Sequence, residues 1–184
     1  MLLIGKTIQL RNILITDSKF ITITRKKKSV SRYLNNPPLD LNHQIKWTKK
    51  NIENKETRDF IILNKKKERI GTIALNDINF KKRHAEWGRW ICLGNSYQSI
   101  ESFLLLSRYS FYNLKLKNIY SLTNIKNNKV LNFQIRAGGK YCGIIKNKYL
   151  MRGKKIHAIK YTFNKKSYLK LKKKIIKIHN FNFR

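Results

Sequence analysis

One strand-like stretch of the chain reads Arg83-His84-Ala85-Glu86-Trp87-Gly88-Arg89-Trp90-Ile91, and a turn of mostly small or polar residues follows at 93–98. Glu86 is one of nine acidic residues in a chain with 42 lysines and arginines, and two tryptophans stand close to it. The turn leads into a long apolar run that predicts a helix, and the first turn of a helix can hold a phosphate on its backbone N–H groups. A lone carboxylate on a strand beside such an anion site predicts an enzyme that uses a phosphorylated cofactor.

Size and composition favour one folded domain. The 184 residues suffice to bury a core, and 41% hydrophobic residues with three Trp, nine Tyr and nine Phe argue against disorder. Cys92 and Cys142 fit no metal or redox spacing, so we expect no metal and a reducing compartment. Residues 1–4 are too short for a secretory signal, and no apolar run approaches the roughly 18 residues of a membrane span. We therefore expect a cytoplasmic protein without a transmembrane segment.

The net charge of +33 indicates an anionic partner. Lysine is accompanied by abundant Ile and Asn, so an AT-rich genome accounts for part of the lysine content. It does not account for the shortage of Asp and Glu. No RNA-recognition, KH or zinc-finger pattern is present, and a nucleotide-bearing small molecule satisfies the same charge preference.

Alternating apolar residues predict a strand at 7–14, and short apolar segments predict further strands at 60–63, 70–75, 85–92, 119–122, 141–145 and 156–163. Helical spacing predicts a short helix capped by Asp17, and helices at 40–54, 98–112 and 127–136. The order of these elements predicts an α/β (α+β) domain. Residues 165–184 differ, because Ser167 could cap a helix with one apolar side and one lysine-rich side. This basic amphipathic C-terminal tail either binds nucleic acid or an anionic membrane surface, or docks on its own domain.

Three segments resemble the GNAT acetyltransferase superfamily, in its branch of ribosomal-protein and amino-sugar N-acetyltransferases. They are Ile-Gly-Thr-Ile-Ala-Leu-Asn-Asp-Ile at 70–78, Ala-Glu-Trp-Gly-Arg-Trp-Ile at 85–91, and the helix that starts with Asn127 and ends before Gly138. The resemblance covers residues from about 9 to 163. It implies a single GNAT-like domain over 1–164, with a mixed, mostly antiparallel twisted sheet of about seven strands and helices on both faces.

The resemblance implies acetyl-CoA as the acetyl donor. In this family the strand matching residues 90–92 pairs with the pantetheine amides, and the following loop wraps the pyrophosphate. That loop departs from the family pattern, because Gly94 is its only glycine. The cofactor-binding residues implied are Trp90, Ile91, Cys92, Gly94, Asn95, Ser96, Gln98, Ser99, Asn127 and Phe133.

The resemblance also implies a catalytic set. Glu86 matches the strand carboxylate that acts as a base, directly or through water, although it could merely pair with a nearby arginine. His84 is an alternative base. Gln134 stands where the family commonly has a tyrosine, and glutamine cannot protonate a leaving thiolate. A nearby tyrosine or water would then supply that proton.

The acceptor pocket of the family lies between the early helices and the split in the sheet. The candidate wall residues here are Arg32, Tyr33, Asn35, Gln44, Trp47 and Trp87. Aromatic and amide groups suit sugar recognition, although packing alone also explains them. The sequence therefore predicts N-acetylation of an amino sugar, most favourably a nucleotide-linked one. The alternatives are acetylation of a protein N-terminus or ribosomal protein, and a non-catalytic basic relative that binds nucleic acid or membrane.

Overall fold

The computed structural model describes residues 1–34, 40–151 and 153–179, and it shows eight strands in one sheet. The strands are β1 Leu2–Ile4, β2 Ile8–Asn12, β3 Arg58–Asn64, β4 Arg69–Asn79, β5 His84–Cys92, β6 Asn118–Asn124, β7 Lys140–Met151 and β8 Lys154–Asn164. The helices are α1 Ser18–Lys26, α2 Lys28–Ser31, α3 Leu41–Glu53, α4 Ser96–Arg108, α5 Asn128–Arg136 and α6 Lys165–His179. A 3-10 turn, Ile15–Asp17, precedes α1, and a π turn, Tyr109–Asn113, extends α4.

The sheet has the order β1-β2-β3-β4-β5-β6-β8-β7. Neighbouring strands are antiparallel, except β5 and β6, which run parallel. The mixed, mostly antiparallel sheet expected from the sequence is thereby confirmed. The additional strand is β1, whose three residues are too few to reveal alternation and which pairs with β2.

Both faces of the sheet are covered, as β3 illustrates. Phe60 and Ile62 belong to the larger core cluster, which also holds Phe103 and Leu106 of α4. The alternate residues Ile61 and Leu63 belong to a second cluster, in which Ile21 of α1 is buried and Trp47 of α3 packs alongside. Successive side chains of a strand point to opposite faces, so α4 covers one face while α1 and α3 cover the other.

Two helix starts differ from the sequence-based expectation. Asp17 makes no capping hydrogen bond to α1, because Arg11 and Arg69 bind its buried carboxylate and the backbone N–H of Leu14 donates to it. Ser167 is not the N-cap of α6. Asn164 is, since its Oδ1 accepts from the Ser167 N–H at 3.0 Å.

The last helix is docked on the domain. Tyr168, Leu171 and Ile175 of α6 are buried in the larger core cluster, and the Tyr168 ring meets that of Phe111 at 6.1 Å. This packing favours the docking alternative for the described part of the tail. The division of the chain at residue 164 stays a prediction. No helix among the described residues is long and apolar enough to span a membrane.

Candidate active site

A bulge in β5 sets the direction of the side chains at the centre of the sheet. Ala74 of β4 pairs with Gly88, whereas Thr72 pairs with Ile91, so β5 carries one extra residue between them. Arg89 lies at this bulge, and its φ of 50° is in the left-handed region.

Strict alternation along β5 would place Glu86 and Trp90 on the same face, but a bulge breaks that pattern. The Trp87 and Trp90 rings instead contact each other edge to face at 5.6 Å, on the side of α4. The Arg89 side chain contacts Trp47 of α3 on the opposite side. The extra residue therefore turns the Trp90 indole toward Trp87 and the core cluster beside α4.

The parallel pair β5–β6 opens into a cavity. Backbone pairing joins His84–Glu86 to residues 118–120, and beyond these positions both strands line a cavity of about 470 Å³. Helices α1, α3 and α5 and strand β7 complete the wall. The lining residues are Arg25, Tyr33, Leu34, Gln44, Trp47, Asn76, Asp77, Glu86, Trp87, Gly88, Arg89, Trp90, Ser121, Leu122, Thr123, Asn124, Asn127, Val130, Gln134 and Tyr149.

Glu86 offers a carboxylate without a partner to this cavity. In the described part of the chain, no hydrogen bond or ion pair engages its side chain. Burial raises the pKa of Glu86, and the negative charge of Asp77 adds to that rise, while Lys148, Arg89 and Lys160 oppose it. The structure thus gives no support to the alternative that Glu86 merely pairs with an arginine.

Arg89 is engaged elsewhere. Its Nη1 lies 2.9 Å from both carboxylate oxygens of Asp59, and its guanidinium lies 4.6 Å from the centre of the Trp47 ring. Asn51 donates a further hydrogen bond to Asp59. Burial raises the pKa of Asp59, and the arginine opposes that rise. These contacts hold Arg89 against α3, and in the described part of the chain it makes no ion pair with Glu86.

The cavity wall carries several buried polar atoms that lack a hydrogen-bond partner among the described residues. The described residues hold six such atoms, and five of them belong to residues that line the cavity: Arg25 Nε, Asn76 Oδ1, Trp87 Nε1, Ser121 Oγ and Gln134 Oε1. Buried polar groups are normally satisfied, so their concentration around one cavity indicates a polar occupant.

Gln134 and Tyr149 lie on the side of the cavity formed by α5, β6 and β7. The Gln134 side chain is fully buried, and its Nε2 donates to Thr123 Oγ1 at 2.7 Å. The Tyr149 hydroxyl donates to the Leu122 carbonyl at 2.5 Å. Burial and the charge of Glu86 raise the pKa of Tyr149 well above its ordinary value. Tyr149 and Tyr33 are thus the described tyrosines that line the cavity.

The turn before α4 uses most of its polar side chains locally. The Asn95 Oδ1 accepts from the Gln98 N–H, and the Gln98 Oε1 accepts from the Asn95 N–H, both at 3.0 Å. Ser99 Oγ donates to the Asn95 carbonyl. This capping box fixes the start of α4. A Cβ on Gly94 would lie 2.0 Å from Gln98 Oε1, so the box also explains the glycine.

The structure brings many of the predicted site residues together around the cavity. Glu86, Gln134, Trp90, Asn127, Tyr33, Gln44, Trp47 and Trp87 line it. Asn127 also caps α5, because its Oδ1 accepts from the Val130 N–H. Ile91, Cys92, Gly94, Asn95, Ser96, Gln98 and Ser99 continue from the end of β5 into α4.

Three predicted residues lie elsewhere. His84 does not line the cavity and instead packs edge-on against Tyr120 at 5.8 Å. Arg32 lies over the Tyr33 ring outside the lining, and Phe133 fills the aromatic cluster with Trp90 at 4.7 Å. Asn35 lies outside the described residues. His84 as an alternative base stays a prediction, and the residue is not among those that line the cavity.

Sequence reasoning missed several cavity residues, chiefly Arg25, Asn76, Asp77, Ser121, Thr123 and Tyr149. Asn76 and Asp77 stand within the resemblance to the family and could have been found there, since Asn76 pairs with Glu86 across the sheet. No motif or spacing in the sequence indicated that Arg25 or Tyr149 would line the cavity. Which face an α1 residue presents, and where the long β7 strand ends, depend on tertiary packing.

Comparison with known proteins places this architecture in a class. A spermidine N-acetyltransferase from Vibrio cholerae in complex with CoA and spermine is similar over 89% of this chain and 98% of its own, with 21% identity and a TM-score of 0.80. The apo form of FdhC, a nucleotide-linked sugar GNAT, is similar over 98% of each chain, with 25% identity and a TM-score of 0.77. A presumed ribosomal-protein-serine acetyltransferase from Vibrio cholerae shares 16% identity over 89% of this chain and 97% of its own, with a TM-score of 0.74. A search of curated proteins finds no match.

The fold and the split sheet define a GNAT-type acyltransferase. The acetyltransferase (GNAT) domain family matches residues 7–140, and the chain belongs to this family. As a member of this family it is a GNAT-type acetyltransferase, with acetyl-CoA as the acetyl donor. The unpaired polar atoms and the opening between β5 and β6 suit such a donor. When bound, acetyl-CoA supplies an acetyl group activated as a thioester. Among the described residues, no group of three or more His, Cys, Asp or Glu could hold a metal ion.

Proposed function

We propose that this enzyme acetylates the primary amine of a nucleotide-linked amino sugar, with Glu86 as the base. The observation that carries the proposal is the unpaired Glu86 carboxylate in a cavity with five unsatisfied polar atoms. An attacking ammonium must lose a proton before it can act as a nucleophile. A carboxylate with a raised pKa is a stronger base than an ordinary one and accepts that proton more readily.

The leaving thiolate of CoA needs a proton, which a group other than Glu86 must supply. Gln134 has no acidic proton, and its Nε2 already donates to Thr123. Tyr149 and Tyr33 are the tyrosines that line the cavity, and the Tyr149 hydroxyl is committed to the Leu122 carbonyl. We therefore assign the thiolate proton to water or to Tyr33, and Tyr149 to positioning β7 against β6.

The donor would be held along the end of β5 and the start of α4 and α5. The residues proposed for this role are Trp90, Ile91, Cys92, Gly94, Asn95, Ser96, Gln98, Ser99 and Asn127. The positive end of the α4 dipole favours the pyrophosphate at this turn. Phe133 supports the donor site indirectly, because it packs under Trp90.

The assignment of the acceptor rests on cavity residues outside the proposed donor site. Trp47, Gln44 and Arg25 offer an aromatic ring, an amide and a cation, which suit a sugar that carries a phosphate. The relative FdhC, at 25% identity over nearly the whole chain, is a nucleotide-linked sugar GNAT. Both points favour a nucleotide-linked amino sugar.

A protein N-terminus is the second candidate acceptor. Asp77 and Glu86 both line the cavity. Their two carboxylates would attract the single ammonium of a peptide N-terminus, or a polycation such as a polyamine. The arginines on the other side of the cavity oppose a polycation. The nucleotide-linked sugar therefore remains the favoured acceptor.

An acceptor panel tests the proposal. Acetyl transfer would be followed by thiol release with a nucleoside-diphosphate amino sugar, the same amino sugar without the nucleotide, spermidine, and a peptide with a free N-terminus. We expect the highest kcat/KM with the nucleotide-linked sugar and background rates with Glu86→Gln. A preference for spermidine or the peptide would contradict the assignment of the acceptor. Glu68→Gln, at an exposed turn, is the matched control.

A further inference from the structure

We propose that Arg25 forms an anion-binding subsite at the acceptor end of the cavity and takes the phosphate groups of the acceptor. The identity of the acceptor rests on the function proposed above, whereas the subsite rests on the geometry around Arg25. The ligand that this subsite requires is a phosphate or diphosphate that can reach the partly buried guanidinium of Arg25.

The charges around Arg25 do not balance. Arg25 lies near the end of α1 and lines the cavity, and its Nε is buried without a hydrogen-bond partner. Asp59 is the nearby carboxylate, but Arg89 and Asn51 occupy its oxygen atoms. In the part of the chain that the structure describes, no carboxylate makes an ion pair with Arg25.

A poorly paired cation in a protein wall is costly. Burial and the neighbouring charge of Arg89 lower the pKa of Arg25 from its ordinary value, which reflects that cost. An arginine nevertheless stays protonated at neutral pH. The arrangement becomes favourable when an anion enters the cavity, because the planar guanidinium can bind a phosphate through two parallel hydrogen bonds.

The subsite and the base belong to different elements that line the same cavity. Arg25 lies on α1, and Glu86 lies on β5. An acceptor that carries both an amine and a phosphate would contact both residues.

Binding of a nucleoside diphosphate tests the subsite without catalysis. The protein would first be saturated with CoA, so that the donor's pyrophosphate site is filled. Thymidine diphosphate and inorganic pyrophosphate would then be titrated by calorimetry. We expect both to bind, and Arg25→Gln to weaken both by about tenfold or more. Arg25→Lys should give an intermediate loss, because it keeps the charge but not the paired donors.

Lys26→Gln is the matched control, since the exposed neighbouring residue removes the same charge from α1. It should leave both affinities nearly unchanged. The melting temperature of Arg25→Gln should equal or exceed that of the wild type, because a poorly paired buried charge is removed. Equal affinities in Arg25→Gln and Lys26→Gln, or a large fall in melting temperature for Arg25→Gln alone, would overturn the subsite.

The outcome separates the subsite from the acceptor assignment. Arg25-dependent diphosphate binding without acetylation of a nucleotide-linked amino sugar would support the subsite and reject the acceptor. Acetylation of that sugar with an unchanged KM in Arg25→Gln would reject the subsite and support the acceptor.

Discussion

The two parts of the chain on either side of residue 101 differ sharply in charge. Residues 1–101 contain all nine acidic residues, and the remaining 83 residues contain no Asp or Glu, although half of the 42 lysines and arginines lie there. In the acidic part, Asp17, Asp59 and Glu101 each bind specific partners inside the fold. Buried carboxylates in this protein are therefore placed with defined contacts, which makes the unpartnered Glu86 informative.

Glu86 lies at the boundary between these two parts. Its strand, β5, pairs with β6, the first strand of the acid-free part. Asp77 of the acidic part raises the pKa of Glu86, and Lys148 and Lys160 of the acid-free part oppose that rise. The contrast in charge thus extends to the environment of the proposed base.

The largest expected effect concerns α6, at the end of the acid-free part. Because Leu171 and Ile175 are buried in the main core, each change to Ala should lower the free energy of unfolding by about 2–5 kcal/mol. Removal of residues 165–184 should abolish cooperative melting or lower the melting temperature further. Thermal unfolding followed by circular dichroism checks both. Lys170→Ala and Lys174→Ala, on the exposed side of α6, are the controls. A stable truncated chain would show that α6 is an appendage.

A smaller effect is expected in the acidic part at Glu101. Its buried carboxylate accepts from the backbone N–H groups of Lys6 and Thr7 and from the Thr7 hydroxyl, which ties the β1–β2 turn to α4. Glu101→Gln places an amide donor against these donors and should cost about 1–3 kcal/mol of unfolding free energy. Urea denaturation measures it. A change below about 0.5 kcal/mol would contradict this role.

A still smaller effect tests the charges at the boundary. Removal of the Asp77 charge by Asp77→Asn should lower the pKa of Glu86, so the acid limb of kcat/KM should move to lower pH. Lys160→Gln should move it to higher pH, because a cation that favours the ionised carboxylate is lost. At neutral pH we expect both rates to stay within about tenfold of the wild type. If the acid limb moved in the same direction in both variants, the opposite effects of Asp77 and Lys160 on the pKa of Glu86 would be contradicted.

The smallest effect concerns the lysines of α6. The apolar side of this helix is buried, so insertion into a membrane interface is not expected. We expect weak binding of a polyanion such as RNA, and Lys170→Gln with Lys174→Gln should reduce both the affinity and its salt dependence slightly. Electrophoretic mobility at two salt concentrations measures this. Binding that is insensitive to salt would contradict an electrostatic surface.

The sequence predicted the fold class and most of the strands, because short apolar segments such as residues 60–63 stand between turns and the three family-like segments indicate their order. It missed β1, which is short. A bulge could be foreseen in β5, but its position at Arg89, which reverses the faces after Gly88, could not. The carboxylate Glu86 was found because acidic residues are rare in this chain. Arg25 and Tyr149 were not, since only the packing of α1 and β7 around the cavity brings them to the site.

The central claim is that Glu86 accepts the proton of the attacking amine. Its most direct test is the pH dependence of kcat/KM for the wild type and Glu86→Gln, with acetyl-CoA binding checked by thermal shift. We expect the wild-type rate to fall with decreasing pH through a pKa above the ordinary 4.5 of a glutamate, because burial raises that pKa. In Glu86→Gln this limb should disappear, the rate at neutral pH should drop on the order of 100-fold, and acetyl-CoA should still stabilise the fold. An unchanged acid limb with nearly undiminished turnover in Glu86→Gln would contradict the claim.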